Sequence, residues 1–282
     1  MKESLHYRAR KWLCQRISSP RRADQLEQIK ESEWDVLVIL DACRFDVLRR
    51  IANWPIAQVT SPGSCTPEWL TAAQKAELFR DTAVITANPQ YDKLSLDFPC
   101  ERIHHSWDTD WSSKLQTTPP EPVLDRVSTE LESGTSQVIA HLEQPHWPYI
   151  VKLGDSWQPA YNDFGPWIVD GTEISSVQVA FERGLIDASL AQQAYSASVA
   201  SIWDVLLDYI PSWVAEGSSI VVTADHGETF GRLRDFGFYE HPCGCHISSL
   251  TSVPWVEFSA TVTVDKDSGS VEERLRALGY AD

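Results

Sequence analysis

Short apolar runs punctuate the chain at 34–40, 82–87, 136–142, 220–223 and 253–258. They are brief and rich in Val and Ile, which predicts strands buried on both faces rather than helices. Between them the apolar positions recur at helical spacing, over 45–50, from Pro67 onward, over 119–131, 190–210 and 271–278. Pro67 suits the first turn of its helix, with Thr66 as a candidate N-cap. Strands alternating with helices predict an α/β fold, a doubly wound, mostly parallel central sheet with helices on both faces.

Two stretches break the rhythm. Residues 88–118 read as irregular and aromatic, and 153–175 as a Gly- and Pro-bearing insertion at a cleft rim or lid. Residues 1–30 are helical in pattern and locally basic, through Arg8, Arg10, Lys11, Arg16, Arg21 and Arg22. The expected organisation is an N-terminal helical extension over 1–30 and one catalytic domain over 31–282. The extension reads as a surface helix packed on the domain. A weak peripheral contact with an anionic membrane is its second use.

Composition narrows the partners. A formal net charge of -16 argues against nucleic acid, whose phosphates need a cationic face. Anionic substrates then require a locally positive site, such as a bound cation. The six cysteines are scattered, unlike a small secreted disulfide scaffold. With no membrane-span-length apolar run and no signal-peptide pattern, the expectation is a reduced, cytoplasmic chain.

The candidate chemistry sits where buried runs end. The run 220–223 leads into Asp225-His226-Gly227-Glu228, and the run 34–40 ends at Asp41. Parallel neighbouring strands would deliver both carboxylates and the imidazole to one sheet edge. Two buried carboxylates repel each other unless one is protonated or a cation lies between them, so convergence favours a divalent metal. Ser64-Cys65-Thr66-Pro67 places nucleophile-type side chains just ahead of a helix N-terminus, where negative charge is stabilised.

Four segments in this order resemble the sulfatase-like members of the alkaline phosphatase superfamily. They are Asp41-Ala-Cys-Arg44-Phe-Asp46, Ser64-Cys65-Thr66-Pro67, Pro145-His146-Trp-Pro148-Tyr149 and Asp225-His226-Gly227-Glu228. His241-Pro and Val253-Pro254-Trp255 look like that family's C-terminal part, and the closest look is to archaeal-type sulfatase-like proteins. The resemblance implies Asp41, Asp225 and His226 as metal ligands, with the nucleophile also touching the metal. It implies Arg44 as a supporting residue, His146 at the ester oxygens or leaving group, and His241 near substrate or metal, with His246 as its rival. Sulfatases proper carry Cys-x-Pro-x-Arg, whose Cys becomes formylglycine. Here Trp69 stands where Arg belongs, so Thr66 is preferred to Cys65 as nucleophile, with Ser64 third. Asp108, Asp110 and Asp155 match no second-metal motif. One cation, Ca, Mg or Mn with Zn allowed, is expected.

The reading is a metal-dependent hydrolase of a small-molecule or glycan sulfate or phosphate ester, working through a covalent intermediate. A head-group transferase on the same site and a catalytically silent binding protein of the same fold are its alternatives. The run His241-Pro-Cys243-Gly-Cys245-His246 could form a zinc knuckle, but its spacing is too tight for a usual finger, and idle loop cysteines are the preferred reading.

Overall fold

The computed structural model describes residues 4–18, 22–94, 96–160, 164–165, 168–169, 172–173 and 177–260. In chain order the helices are α1 (Leu5–Ile17), α2 (Gln25–Glu31), α3 (Phe45–Ile51), α4 (Thr66–Lys75), α5 (Gln90–Lys93), α6 (Ser106–Thr109), α7 (Pro120–Glu132), α8 (Val177–Glu182), α9 (Ala188–Ala215) and α10 (Ser248–Thr251). The strands are β1 (Val36–Asp41), β2 (Ala57–Thr60), β3 (Ala83–Thr86), β4 (Arg102–His105), β5 (Val138–Pro145), β6 (Ile150–Leu153), β7 (Ser156–Pro159), the two-residue β8, β9 and β10 within 164–173, β11 (Ile220–Ala224) and β12 (Ser252–Phe258).

Seven strands form the central sheet in the order β2-β12-β11-β1-β5-β3-β4. The pairs β11–β1, β1–β5, β5–β3 and β3–β4 are parallel, while β12 runs antiparallel to β11 and to β2. The fold class is therefore the expected α/β one, with a mixed, mostly parallel sheet. Every residue of β1 and β11 is buried, as strands covered on both faces must be. Helices α7 and α9 pack on each other and on β5. Trp69 of α4 donates to Gln25 of α2, whose amide in turn reaches Thr223 and the Ala224 carbonyl of β11.

Two strands of the central sheet escaped the periodicity. β2 has only one buried residue, and β4 has none, so neither carries a core strand's apolar run. β4 falls within 88–118, which is thus less irregular than expected. The helix expected at 271–278 lies outside the described residues, and part of the 153–175 insertion does too. Among the described residues no helix is long and apolar enough to cross a membrane.

Candidate active site

β1 lies between β11 and β5, all three parallel, with Leu40 level with Ala224 and Asp41 level with Pro145. Their carboxyl ends therefore open at one edge. β1 delivers Asp41, β11 delivers Asp225 and His226, and β5 delivers Glu143 with His146 just beyond it. The register between β1 and β5 slips between Leu40 and Asp41. Ala42, the next residue, has a left-handed φ of 61°. That unusual backbone is fixed from both sides: its N–H donates to Asp225 Oδ1 at 3.1 Å, and its carbonyl accepts from Tyr195 Oη at 2.7 Å.

Thr66 is the first residue of α4, and Cys65, not Thr66, is the N-cap position. No side chain caps the first N–H groups of α4; Glu68 reaches back from the first turn, its carboxylate accepting from the Ser64 N–H and hydroxyl. The Thr66 hydroxyl is thus left for the site, and lies 3.2 Å from His226 Nε2. Gly63 is required by the tight approach of this turn. A Cβ there would lie 2.6 Å from Trp69 N. Gly227 has the same role on the other side, since its Cβ would lie 2.2 Å from the Ser249 carbonyl oxygen.

The charged groups are buried together. His226 Nε2 lies 3.4 Å from Asp41 Oδ1 and 3.5 Å from Asp225 Oδ2, and His141 Nε2 lies 3.6 Å from the same Asp225 oxygen. Asn88 donates to Asp41 Oδ2 at 2.5 Å. His226 Nδ1 donates to the Gly227 carbonyl at 2.8 Å, which places the ring proton there and leaves the Nε2 lone pair facing the two aspartates. Asp41 Oδ1 and Asp225 Oδ2 are buried with no hydrogen-bond partner among the described residues. A lone pair and two bare carboxylate oxygens aimed at one point fit a divalent cation.

Asp41, Asp225 and His226 present ligand atoms within 4.8 Å of one another. A second group with the same property is Asp41, Glu143 and His146. The second set of ligands, which none of Asp108, Asp110 and Asp155 supplied by motif, is thus offered by Glu143-x-x-His146, which shares Asp41 with the first group.

Electrostatics sort these groups. Burial, then the charges of Asp225, Glu143 and Glu228, hold Asp41 well above the usual carboxylate range, against its bond from Asn88. Burial beside Asp225 pushes Glu143 up to about 8. Burial works against Asp225 too, but His226, His141 and Thr66 outweigh it and keep that carboxyl low. Burial and the neighbouring His241 pull His146 down to about 3. His241 itself is raised: burial opposes its charge, but Glu228 outweighs that, accepting from Nδ1 at 3.2 Å. The His241 ring lies 4.4 Å from the His226 ring and 5.0 Å from that of His146, measured between centroids.

Several expectations need correcting. Cys65 is disulfide-bonded to Cys243, so its sulfur is neither a free nucleophile nor open to conversion to formylglycine. The same bond corrects the picture of a fully reduced chain with idle loop cysteines. Cys243 is spent there, and buried Cys245 turns toward the Lys11 carbonyl of α1, so the Cys-Gly-Cys run does not gather as a knuckle. His246 sits 3.8 Å from Glu68 and does not join the His226–His241–His146 cluster. Arg44, expected as a supporting residue, pairs with Asp46 and the Glu228 carbonyl and so braces the Asp225–Glu228 turn. Asp110 is occupied by Arg126.

Glu143, Glu228, Asn88 and His141 were not foreseen as site residues. Two of them had a signal: Glu143 stands three residues before His146, and Glu228 closes the Asp-His-Gly-Glu run.

No family model matches the chain, and no curated protein does. Solved structures do. The soluble domain of lipooligosaccharide phosphoethanolamine transferase A from Neisseria meningitidis superposes with a TM-score of 0.54 at 14% identity, covering 79% of this chain and 75% of that one. The C-terminal periplasmic domain of a phosphoethanolamine transferase from Campylobacter jejuni gives 0.51 at 17% identity, covering 87% and 81%. The integral membrane form of the Neisseria enzyme gives 0.53 at 15% identity, and this chain spans 47% of its length. At these identities the likeness shows the fold alone, the one these transferase domains share.

Proposed function

We propose that this chain is a metal-dependent transferase of a phosphorylated head group, with Thr66 as the nucleophile. The observation that carries the reading is the Thr66 hydroxyl, free of capping duty and 3.2 Å from His226 Nε2 at the mouth of a buried carboxylate–imidazole cluster. Asp41, Asp225, His226 and Thr66 would hold one divalent cation. Bound there, it would offset the charge of the phosphoester and lower the pKa of a hydroxyl beside it.

The chain's own groups supply the rest. Thr66 loses its proton to water, its oxygen bonds to phosphorus, and the bond to the donor's alcohol breaks. The N-terminus of α4 favours the negative charge that gathers there. His241, kept protonated by Glu228, gives its proton to the departing alcohol. Neutral His241 then takes the proton of an acceptor alcohol as that oxygen attacks phosphorus, and the bond to Thr66 breaks. His146, held neutral, offers a lone pair beside the same space.

The fold likeness is to proteins named as phosphoethanolamine transferases, which supports transfer over the simple hydrolysis expected from sequence. A formylglycine sulfatase mechanism would need the Cys65 sulfur, which the disulfide occupies. That disulfide also supports folding where thiols are oxidised, in place of the expected cytoplasm. The archaeal-type sulfatase-like kinship rests on the motifs alone.

The test supplies an aryl phosphate, an aryl phosphodiester and an aryl sulfate with added cation, with and without ethanolamine or glycerol. The reading expects turnover of a phosphorus ester, a covalent adduct on the Thr66 peptide by mass spectrometry, and product carried to the added alcohol in preference to water. Release to water alone would restore the hydrolase reading. Absence of both turnover and stoichiometric metal would leave a silent binding protein.

A further inference from the structure

Helix α1 is built inside out. Its inward side is narrow, with Tyr7 and Cys14 as its only buried residues. They join Phe238, Cys245 and Leu250 in a small cluster separate from the main core. Arg10 turns the same way, donating to the Phe236 and Gly237 carbonyls. The opposite side is broader and largely apolar, with exposed His6 and Arg16 set among its apolar residues. Leu5, Ala9, Trp12, Leu13 and Ile17 follow the i, i+4, i+7, i+8, i+12 spacing of one helical stripe, and all are exposed. Leu5 is 77% exposed, Trp12 57% and Ile17 61%. Among the described residues, four of the eight exposed large apolar side chains lie on this one helix. A fifth, Leu233 at 97%, belongs to the turn beside it, since Arg234 of that turn lines one cavity with Ile17 and Ser18.

Charge says what covers this stripe. The protein carries a net -16, yet α1 has Arg8, Arg10, Lys11 and Arg16 and no acidic residue. Arg8 and Arg16 are exposed at the stripe, and the Arg16 guanidinium lies 5.0 Å over the Trp12 ring. Arg232 and Arg234 flank Leu233. Glu182 and Glu240 meet the helix on its inward side, through Arg10 and Tyr7. A helix with Trp and Leu on one face, bordered by arginines, lies flat in the interface of an anionic bilayer. A −16 chain would otherwise be repelled from that surface, so a cationic patch confined to its apolar stripe is the matching element.

We propose that the outward face of α1, with the Leu233 turn, docks the protein on an anionic lipid surface. The helix is fastened to the segment that serves the site. Gln15 donates to the Cys243 carbonyl, the Ser18 hydroxyl accepts from the His246 N–H, and the Tyr7 hydroxyl donates to Glu240, beside His241. Docking through α1 would therefore hold the His241 side of the site one helix diameter, roughly 10 Å, from the lipid head groups. The docking itself stands independently of the transferase reading.

The experiment is co-sedimentation of the full chain with vesicles of phosphatidylcholine alone and with 30 mol% phosphatidylglycerol, at low and high salt. Binding to the anionic vesicles that weakens with salt is expected. The double variant Arg8→Gln/Arg16→Gln should lower affinity about 25-fold, roughly fivefold for each charge near the surface. Leu5→Ser/Trp12→Ser should abolish binding. Both pairs are exposed, so unchanged circular dichroism will show that the variants fold. Thr66→Ala should bind as the unaltered chain does, which separates this test from any failure of turnover. Equal binding to neutral and anionic vesicles, no binding to either, or a dimer lost in Leu5→Ser/Trp12→Ser without vesicle binding would each overturn the proposal.

Discussion

Cys65 and Cys243 are joined by a disulfide across 178 residues of sequence, with their Cα atoms 5.2 Å apart. One half precedes the Thr66 hydroxyl by a single residue, and the other follows His241 by two. The bond thus ties the candidate nucleophile's turn to the loop of the candidate proton donor, and Ser64 adds a hydrogen bond to the Pro242 carbonyl.

Removing that tie should cost stability more than chemistry. Cys65→Ser and Cys243→Ser are each expected to lose about 2–5 kcal/mol, in line with closure of a long loop. Both should keep measurable turnover with added cation. Denaturant melts and activity assays on the two variants check this, and complete loss of turnover in Cys65→Ser alone would return the cysteine to the chemistry.

Thr66→Ala should lower turnover at least about 10³-fold, because no other hydroxyl replaces the one facing His226. Thr66→Ser should recover much of it. The melting temperature of both should stay near that of the unaltered chain. Rapid-mixing kinetics should show a burst of released alcohol in the unaltered chain that Thr66→Ala lacks.

Asn88→Ala leaves the candidate metal ligands in place and removes the donor that orients Asp41, together with the acceptor of the Gln90 N–H. Loss of such an outer partner lowers metal affinity by roughly 10–100-fold. Isothermal titration with Zn and Mn should show that drop. Asp225→Asn should bind neither ion. One ion per chain is expected, and two would bring the Asp41–Glu143–His146 group into use.

Without metal, stability should fall as pH rises from about 6.5 to 8. Asp41 and Glu143 are held protonated in the fold, Glu143 up to about 8, and His241 is raised by Glu228. Each then carries a proton that the unfolded chain has already released, so unfolding gains as pH climbs. His146 and His226 are shifted the other way, and their opposing effect ends near the ordinary histidine value of about 6.5. Calorimetry in chelator should show the decline. A saturating divalent cation should remove it, because the ionised carboxylates then have a partner.

His241→Gln should slow esters with poor leaving groups about 10²–10⁴-fold and barely affect an activated aryl ester, whose alcohol departs without a proton. Comparing a nitrophenyl and an alkyl phosphodiester reads this directly.

Asp41, Asp225 and His226 were legible because each stands where an apolar run stops, and a parallel sheet brings such ends together; Thr66 was legible because it stands before the proline that opens a helix. Glu143 was harder to see. Its strand was expected to end at Leu142, but β5 runs on through Pro145 past the slip in register beside Asp41. The Cys65–Cys243 pair gave no local sign, since its halves meet only after the whole sheet is assembled. β2 and β4 were missed because edge strands carry too few buried residues to write a pattern.

The donors at the sheet edge come from segments that begin with β1 and end beyond β11. No fragment shorter than 41–226 contains the full set, and a chain stopped before Asp225 lacks two of the three donors of the first group. An ion held there would therefore bridge parts of the chain made far apart in time. A copy ending before Asp225 could not hold it, so the ion would protect from unfolding only chains in which both ends of that span have met.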